Sequence, residues 1–169
     1  INGDGILDVL SVDETTNRVS VRLGKSDGTL GAAYFYSTGD DPTDLLLMDL
    51  NGDGYLDLAT ANIAADSISV FFGNGNGTFG TMATYETTGG PSRVRAADWN
   101  NDGILDLVSA DEGDINPTIR LGAPNGIFGP AITVAIPETF TDIAIADLDD
   151  DGFQDIVLSH GDEDTFRVY

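Results

Sequence analysis

Apolar and polar residues alternate along much of the chain with the period of a β-strand. Residues 19–23 read Val-Ser-Val-Arg-Leu and residues 68–72 read Ile-Ser-Val-Phe-Phe. Every second side chain of a strand faces the same side, so this spacing predicts strands with one apolar face, and no long amphipathic helix pattern occurs. Glycine-rich and Asx-rich turns separate the predicted strands. For residues 92–140 the predicted strands are Arg93–Ala97, Leu105–Ala110, Thr118–Leu121 and Ala131–Ala135.

An acidic nine-residue pattern recurs at a constant spacing. The pattern Asp-x-Asn/Asp-x-Asp-Gly-x-x-Asp occupies residues 49–57, 98–106 and 147–155. Residues 2–8 carry a fourth copy that lacks its first aspartate, because the chain begins at Ile1. The final aspartates of the four copies stand 49 residues apart, at Asp8, Asp57, Asp106 and Asp155. A fixed period of this length is the mark of a repeat protein.

A second, glycine-rich pattern keeps the same period at residues 24–31, 73–80 and 122–129. About four strands in a unit of roughly 40–50 residues is typical of a β-propeller blade, whereas the rungs of a β-solenoid, the competing repeat, are usually much shorter. The sequence therefore predicts an all-β fold of four-stranded antiparallel blades in one segment, residues 1–169. The expected repeat units are approximately 1–42, 43–91, 92–140 and a partial 141–169.

The acidic pattern has the chemistry of a calcium loop. Carboxylate and amide oxygens at positions 1, 3, 5 and 9 are hard ligands, glycine at position 6 permits a sharp bend, and position 7 supplies a backbone carbonyl. Magnesium is less favoured, since it prefers few protein ligands and keeps its waters. The candidate ligands are Asp49, Asn51, Asp53, Tyr55 and Asp57; Asp98, Asn100, Asp102, Ile104 and Asp106; Asp147, Asp149, Asp151, Phe153 and Asp155; and Asn2, Asp4, Ile6 and Asp8.

Two other interpretations of the acidic pattern are an EF-hand and an ordinary turn. An EF-hand needs a glutamate at position 12, but Thr60, Ser109 and Leu158 stand there, and no helix pattern flanks the loops. Asp-x-Asn-x-Asp-Gly is also ordinary turn composition, which explains a single copy. Three complete copies with the ninth aspartate always present favour calcium over a plain turn.

Charge excludes several classes of partner. The chain has 29 acidic and 7 basic residues and a formal net charge of -22, so binding to the phosphates of nucleic acid is disfavoured. It has no cysteine, which excludes disulfides and thiolate chemistry, and no apolar run long enough for a membrane helix. No nucleic-acid partner and no membrane insertion are expected.

The sequence does not predict an enzyme. His160 is the only histidine, and no serine lies in a nucleophile-elbow context. Aspartate pairs could imitate a glycosidase, but each belongs to a repeated loop, whereas an active site should occur once. Trp99 takes the place of Leu50 and Leu148 in its repeat, which favours packing over sugar stacking. Residues 76–78 form a sequon, so an N-glycan at Asn76 is expected only in a secreted eukaryotic protein.

These motifs resemble FG-GAP repeats, also called VCBS repeats. The acidic loops match the family's Asp-x-Asn/Asp-x-Asp-Gly-x-x-Asp motif, and the pairs Phe79-Gly80 and Phe128-Gly129, with Leu30-Gly31 as a variant, match its phenylalanine-glycine element. The family forms the seven-bladed propeller of integrin α subunits and occurs in fungal integrin-like lectins and in bacterial secreted and surface proteins. The resemblance implies about three and a half blades of a seven-bladed propeller, with calcium on the loop between the first two strands of each blade. The truncated copy at residues 2–8 departs from the motif.

Three functions are compatible with this interpretation. The first is an extracellular adhesion or recognition module for a carbohydrate or protein ligand, the second a structural subunit of an extracellular fibre or surface layer, and the third an accessory propeller of a polysaccharide-degrading enzyme. Binding surfaces are expected in the variable loops 13–17, 39–43, 89–92 and 111–117. Since closed propellers typically need four to eight blades, further blades are expected from a longer chain or from another subunit.

Overall fold

The computed structural model describes residues 1–112, 116–136, 142–160 and 165–168, and these residues form β-strands and turns without a helix. No element among them is therefore a helix that could cross a membrane. Four antiparallel sheets follow one another along the chain. Sheet 1 contains β1 (Val9–Asp13), β2 (Arg18–Arg22) and β3 (Tyr34–Ser37); sheet 2 contains β4 (Pro42–Met48), β5 (Asp57–Asn62), β6 (Ser67–Phe71) and β7 (Ala83–Glu86); sheet 3 contains β8 (Gly90–Ala97), β9 (Asp106–Glu112), β10 (Thr118–Arg120) and β11 (Ile132–Thr133); sheet 4 contains β12 (Asp142–Ala146), β13 (Asp155–His160) and β14 (Thr165–Val168).

Each sheet is a meander in which consecutive strands pair, and equivalent strands recur at the 49-residue period. The all-β fold of repeated antiparallel sheets is therefore confirmed. The division at residues 42, 91 and 140 into repeat units stays a prediction. In sheet 3 the last two strands are shorter than predicted, at Thr118–Arg120 and Ile132–Thr133, whereas the first strand is longer, at Gly90–Ala97. The start of β10 at Thr118 agrees with the prediction but lies two residues later than the start of the equivalent strand β6, because Pro117 occupies the position of Ile68 and has no N–H to donate to β9. β10 pairs with β11 at two residues.

Successive sheets pack face to face through three hydrophobic clusters. The alternation along β5 explains how one strand serves two of them: Leu58 joins the cluster with Val19 and Val21 of sheet 1, whereas Ala59 and Ala61 join the cluster shared with sheet 3. All six residues of β5 are consequently buried. The third cluster lies between sheets 3 and 4 and consists of Val108, Ala110, Ile119, Ile136, Ile143, Ile156 and Leu158.

The first strands of sheets 2, 3 and 4 are joined by ion pairs. Arg95 of β8 donates to Asp44 of β4 at 2.7 Å and lies 3.5 Å from Asp142 of β12, which Arg93 also approaches at 3.4 Å. These side chains are partly exposed, so each pair contributes little free energy. Arg95 thus lies between an acidic residue of each neighbouring sheet, whereas Arg93 faces Asp142 alone.

The phenylalanine-glycine element connects neighbouring sheets. The Phe79 N–H donates to the Tyr36 hydroxyl oxygen at 3.1 Å, and the two rings meet edge to face at 5.4 Å between centroids. Phe128 and Tyr85 repeat this contact between sheets 2 and 3, with the same ring distance and an N–H to hydroxyl distance of 3.4 Å. Each phenylalanine thus fastens its own sheet to the tyrosine on the last strand of the preceding sheet.

Tyr36→Phe should destabilise the chain. The substitution keeps the edge-to-face ring contact but leaves the N–H of Phe79 without its acceptor, and Phe79 is only 8% exposed. A loss of about 1–2 kcal/mol in the free energy of unfolding is expected, measured by urea denaturation. Tyr34→Phe on the same strand is the matched control, because Tyr34 is 52% exposed and its variant should unfold like the parent. Equal midpoints for both variants would contradict the proposed contribution of the hydroxyl.

Candidate metal centres

The acidic pattern lies where sheets change from their first strand to their second. Residues 49–57 (loop B) lead from β4 into β5, residues 98–106 (loop C) from β8 into β9, and residues 147–155 (loop D) from β12 into β13. Residues 2–8 (loop A) precede β1 and correspond to positions 3–9 of the pattern. All four loops are therefore at the same end of their sheets.

The aspartate at position 1 organises each complete loop. In loop B, Asp49 accepts hydrogen bonds through Oδ1 from the N–H groups of Gly52 at 2.8 Å and Asp53 at 3.1 Å, and through Oδ2 from the N–H of Gly54 at 2.8 Å. The backbone thus wraps around one carboxylate. Gly54, at position 6, has φ 88°, a conformation that glycine adopts without strain, which explains the glycine of the motif.

Positions 3 and 5 turn towards the same centre. Asn51 Oδ1 accepts from the N–H of Asp53 at 2.9 Å, the same group that donates to Asp49. Asp53 Oδ1 accepts from the N–H of Tyr55 at 2.8 Å, and Asp53 Oδ2 accepts from the Asn51 amide at 3.0 Å. The side-chain oxygens of positions 1, 3 and 5 are therefore brought together on one side of the loop.

Loops C and D repeat this network. In loop C the N–H of Asp102 donates to Asp98 at 3.0 Å and to Asn100 at 3.1 Å, and the N–H of Gly103 donates to Asp98 at 2.8 Å. Loop D has the corresponding bonds, and ligand oxygens of its acidic residues lie within 4.8 Å of one another; these residues are Asp147, Asp149 and Asp151. Loop A has the hydrogen bonds between positions 3 and 5, since Asn2 and Asp4 are bonded to each other as Asn51 and Asp53 are.

The aspartate at position 9 connects the acidic loop to the glycine-rich turn. Asp57 is fully buried and accepts through Oδ2 from the N–H of Leu50 and through Oδ1 from the N–H of Gly73, both at 2.8 Å. A Cβ on Gly73 would lie 2.2 Å from the carbonyl oxygen of Leu56, so only glycine fits there. Asp8 with Gly24 and Asp106 with Gly122 form the same pair.

The sequence interpretation missed this second role of position 9. It assigned Asp57 to metal alone and gave no function to Gly73 or to the N–H at position 2. A signal was present, because 16 residues separate Asp8 from Gly24, Asp57 from Gly73 and Asp106 from Gly122. This spacing follows from the common 49-residue period, however, so the contact becomes visible only in the structure.

The acidic loops carry several close carboxylates, which affects the pKa of the aspartate at position 9. Burial raises the pKa of Asp57 above its ordinary value, the N–H groups of Gly73 and Leu50 lower it, and the charges of Asp53 and Asp49 raise it further. Burial likewise raises the pKa of Asp106, with Asp102 adding to the effect. A cation among these oxygens would offset the repulsion that the carboxylates experience.

The side chains at position 7 are not available as ligands. The phenolic side chain of Tyr55 is 49% exposed, and its ring lies against Gly75 of the glycine-rich turn. The apolar side chain of Phe153 is 61% exposed. Only the carbonyl oxygens of Ile6, Tyr55, Ile104 and Phe153 could contribute, and their part in a metal site stays a prediction.

The remaining sequence candidates are Trp99, Asn76 and His160. Trp99 is partly buried against the cluster between sheets 3 and 4, which is a packing role. Asn76 is exposed and accepts from Thr78, but Asp27 and Thr29 make the same turn in the first repeat, so this geometry belongs to the turn and carries no evidence of glycosylation. The side chain of His160 lies outside the part of the chain that the structure describes.

One concave surface lies between acidic loops and another at the opposite end of the sheets. A cavity of about 240 Å³ lies between loops B and C, lined by Asp49, Leu50, Asn51, Gly52, Gly103, Ile104, Leu105 and Pro124. An open groove of about 550 Å³ lies between the β1–β2 turn and the start of β4, lined by Ser11, Val12, Asp13, Glu14, Thr15, Pro42 and Thr43. The groove joins two of the variable loops in which a binding surface is expected.

Comparison with known proteins agrees with the fold and the loop pattern. The model of the FG-GAP-like repeat matches residues 1–60, 49–109 and 98–158. Among solved structures, a lectin of Agrocybe aegerita is similar, with a TM-score of 0.58 and 21% identity over 90% of this chain and 46% of the lectin chain. That structure is described as the basis of specific recognition of non-reducing terminal N-acetylglucosamine.

The likeness to the lectin shows the fold alone, because the identity is low, and this chain spans less than half of the lectin's length. The predicted propeller-type fold is confirmed by the family match and by this neighbour together. A search of curated protein sequences gives no match.

Proposed function

The chain belongs to the FG-GAP-like repeat family, and from this premise we propose that it is a calcium-stabilised recognition module that works outside the cell. The observation that carries the proposal is the hydrogen-bond network shared by loops B, C and D. The same backbone N–H groups in each loop turn three oxygen-bearing side chains towards one centre.

The donor set fits calcium. It consists of carboxylate and amide oxygens with no nitrogen or sulfur ligand, and calcium takes six to eight oxygens in flexible geometry. Bound calcium would supply the positive charge that neutralises the carboxylates of each loop. The ligands of loop B would be Asp49, Asn51, Asp53, the carbonyl of Tyr55 and Asp57, with the equivalent residues in loops C and D, and loop A would bind through Asn2, Asp4, Ile6 and Asp8.

An extracellular location follows from calcium affinity. Loops of this kind in extracellular modules have dissociation constants of about 10⁻⁴–10⁻³ M, so they would be empty at cytosolic calcium concentrations. The module therefore requires the calcium concentration found outside cells. No part of the proposed role needs a catalytic residue, and we assign no enzymatic activity.

Carbohydrate is the ligand class that we favour. The fold neighbour is a lectin, and the net charge of -22 repels anionic ligands, so a neutral glycan is the chemistry best matched to this surface. The groove beside Thr15 and Thr43 offers hydroxyl and carboxylate groups suited to sugar hydroxyls. Asn17 holds its two edges together by bonding to Asp40 and to the N–H of Asp41.

A glycan array in calcium tests the proposal. The parent chain should bind neutral glycans, and Thr15→Trp should abolish binding by filling the groove without lowering the melting temperature, because Thr15 is an exposed turn residue. Ala64→Trp is the matched control, since Ala64 is the equivalent exposed turn residue of sheet 2 and lies outside the groove. Absence of glycan binding by the folded, calcium-loaded parent would refute a carbohydrate ligand, and large assemblies in light scattering would then favour a structural subunit.

A further inference from the structure

A side chain of loop C reaches into loop D. Asn101, at position 4 of loop C, donates a hydrogen bond from its amide Nδ2 to the carbonyl oxygen of Gly152, at position 6 of loop D. The two residues are 51 apart in sequence and belong to neighbouring sheets. The bond therefore links two candidate metal loops directly.

Loops B and C, in contrast, have no such link. Position 4 of loop B is Gly52, which has no side chain, and the space between loops B and C is the cavity of about 240 Å³ that Gly52 and Gly103 help to line. Gly52 has φ 75° and Asn101 has φ 58°, so both adopt the left-handed conformation. The backbone is alike in the two loops, and the bridging amide is the difference.

Both residues of the hydrogen bond between Asn101 and Gly152, called the bridge below, adjoin candidate metal ligands. Asn101 stands between Asn100 and Asp102, whose side chains are positions 3 and 5 of loop C. The N–H of Gly152 donates to Asp147 of loop D at 3.0 Å, and Gly152 follows Asp151 directly. Ordering of either loop by a cation thus orders one partner of the bridge.

We propose that Asn101 couples loops C and D, so that calcium in one loop raises the affinity of the other; this inference rests on the calcium binding proposed above. A ligand that orders its own site reduces the entropy that a linked site must lose on binding, which gives positive cooperativity. One hydrogen bond of ordinary strength sets the scale of the effect at about fivefold in the dissociation constant.

Trp99 provides a built-in reporter for loop C. It is the single tryptophan of the chain, it occupies position 2 of loop C, and its backbone N–H donates to Asp106 Oδ2 at 2.9 Å. Calcium binding at Asp106 should move the Trp99 backbone that is bonded to it, and with it the indole packed against the cluster between sheets 3 and 4. Fluorescence excited at the tryptophan therefore reports the filling of loop C.

The experiment is a double-mutant cycle of calcium titrations. Four proteins are titrated: the parent, Asp151→Asn, Asn101→Gly, and the double variant. Asp151→Asn disables loop D and should raise the dissociation constant of loop C. This increase should be about five times larger in the parent background than in the Asn101→Gly background. The loss of one negative charge acts in both backgrounds and cancels. Asn101→Gly should fold, because Gly52 has the same position and a similar φ.

Asp53→Asn is the matched control. It disables loop B, the other neighbour of loop C, and should shift the Trp99 titration equally with and without Asn101, because no side chain bridges those loops. Calorimetry on the same proteins provides stepwise affinities that do not depend on the Trp99 signal.

The outcomes separate the two proposals. Calcium binding with the same effect of Asp151→Asn in both backgrounds overturns the coupling and leaves the calcium sites standing. Absence of any calcium heat in the parent refutes the calcium sites themselves, and the coupling with them. A larger effect of Asp151→Asn in the presence of Asn101 supports both.

Discussion

Chelation of calcium should lower the melting temperature of the chain by about 15–30 °C. A ligand that binds only the native state stabilises it by about 2.7 kcal/mol per independent site at a concentration of 100 Kd. Loops B, C and D together then contribute about 8 kcal/mol, and each kcal/mol changes the melting temperature of a domain of this size by about 2–4 °C. Since folded domains are stable by only about 5–15 kcal/mol, calcium would supply a large share of the total.

The measurement compares thermal unfolding in excess calcium and in EDTA at equal ionic strength. Magnesium is the control ion, because it should restore little of the lost stability if the loops select a larger cation with many oxygen ligands. Superimposable curves in calcium and EDTA would show that the loops are ordinary turns, whose backbone hydrogen bonds to Asp49 and its equivalents are sufficient without a metal.

Much of this architecture was predictable because it repeats. The strict period placed the strands and the loops between the first two strands of each sheet, and the alternation in residues 19–23 and 68–72 identified apolar faces that are now seen buried between sheets. Periodic patterns average over several copies, so a single irregular residue does not obscure them. Sheet 3 departs from the repeat at β10, because Pro117 lacks the N–H donor that Ile68 has in sheet 2.

Contacts between repeats were not predictable in the same way. The bond from Phe79 to Tyr36 joins residues 43 apart in different sheets, and the third repeat has Val134 in place of the tyrosine, which breaks the pattern. The counterparts of Asn101 in the first two repeats are Gly3 and Gly52, so no periodic signal predicts its bond with Gly152. A contact between non-equivalent residues of two repeats requires knowledge of how the sheets pack.

Asp57→Ala should be the most destabilising single substitution in loop B, and it should act even in EDTA. The substitution leaves the N–H groups of Leu50 and Gly73 without an acceptor in a buried region, and each unsatisfied group costs about 1–3 kcal/mol. We expect a loss of about 2–5 kcal/mol in the free energy of unfolding without calcium. In calcium the loss should be larger, because a metal ligand disappears as well.

Asp53→Ala separates the role of a carboxylate as a metal ligand from its role as a hydrogen-bond acceptor in the fold. Asp53 is exposed, and its bonds are confined to the loop, so its variant should match the parent in EDTA and lose about one site's stabilisation, roughly 2.7 kcal/mol at 100 Kd, in calcium. Asp57→Asn should fall between these variants, because its amide keeps one acceptor oxygen and replaces the carboxylate whose burial raises the pKa of Asp57.

Urea unfolding of the parent and the three variants, each in calcium and in EDTA, provides the required free energies if the slopes agree. The expected order in EDTA has the parent and Asp53→Ala most stable, Asp57→Asn next and Asp57→Ala least stable. If Asp57→Ala equals the parent in EDTA, the hydrogen bonds to Leu50 and Gly73 do not stabilise the fold. Position 9 would then serve the metal alone, as the sequence pattern by itself suggests.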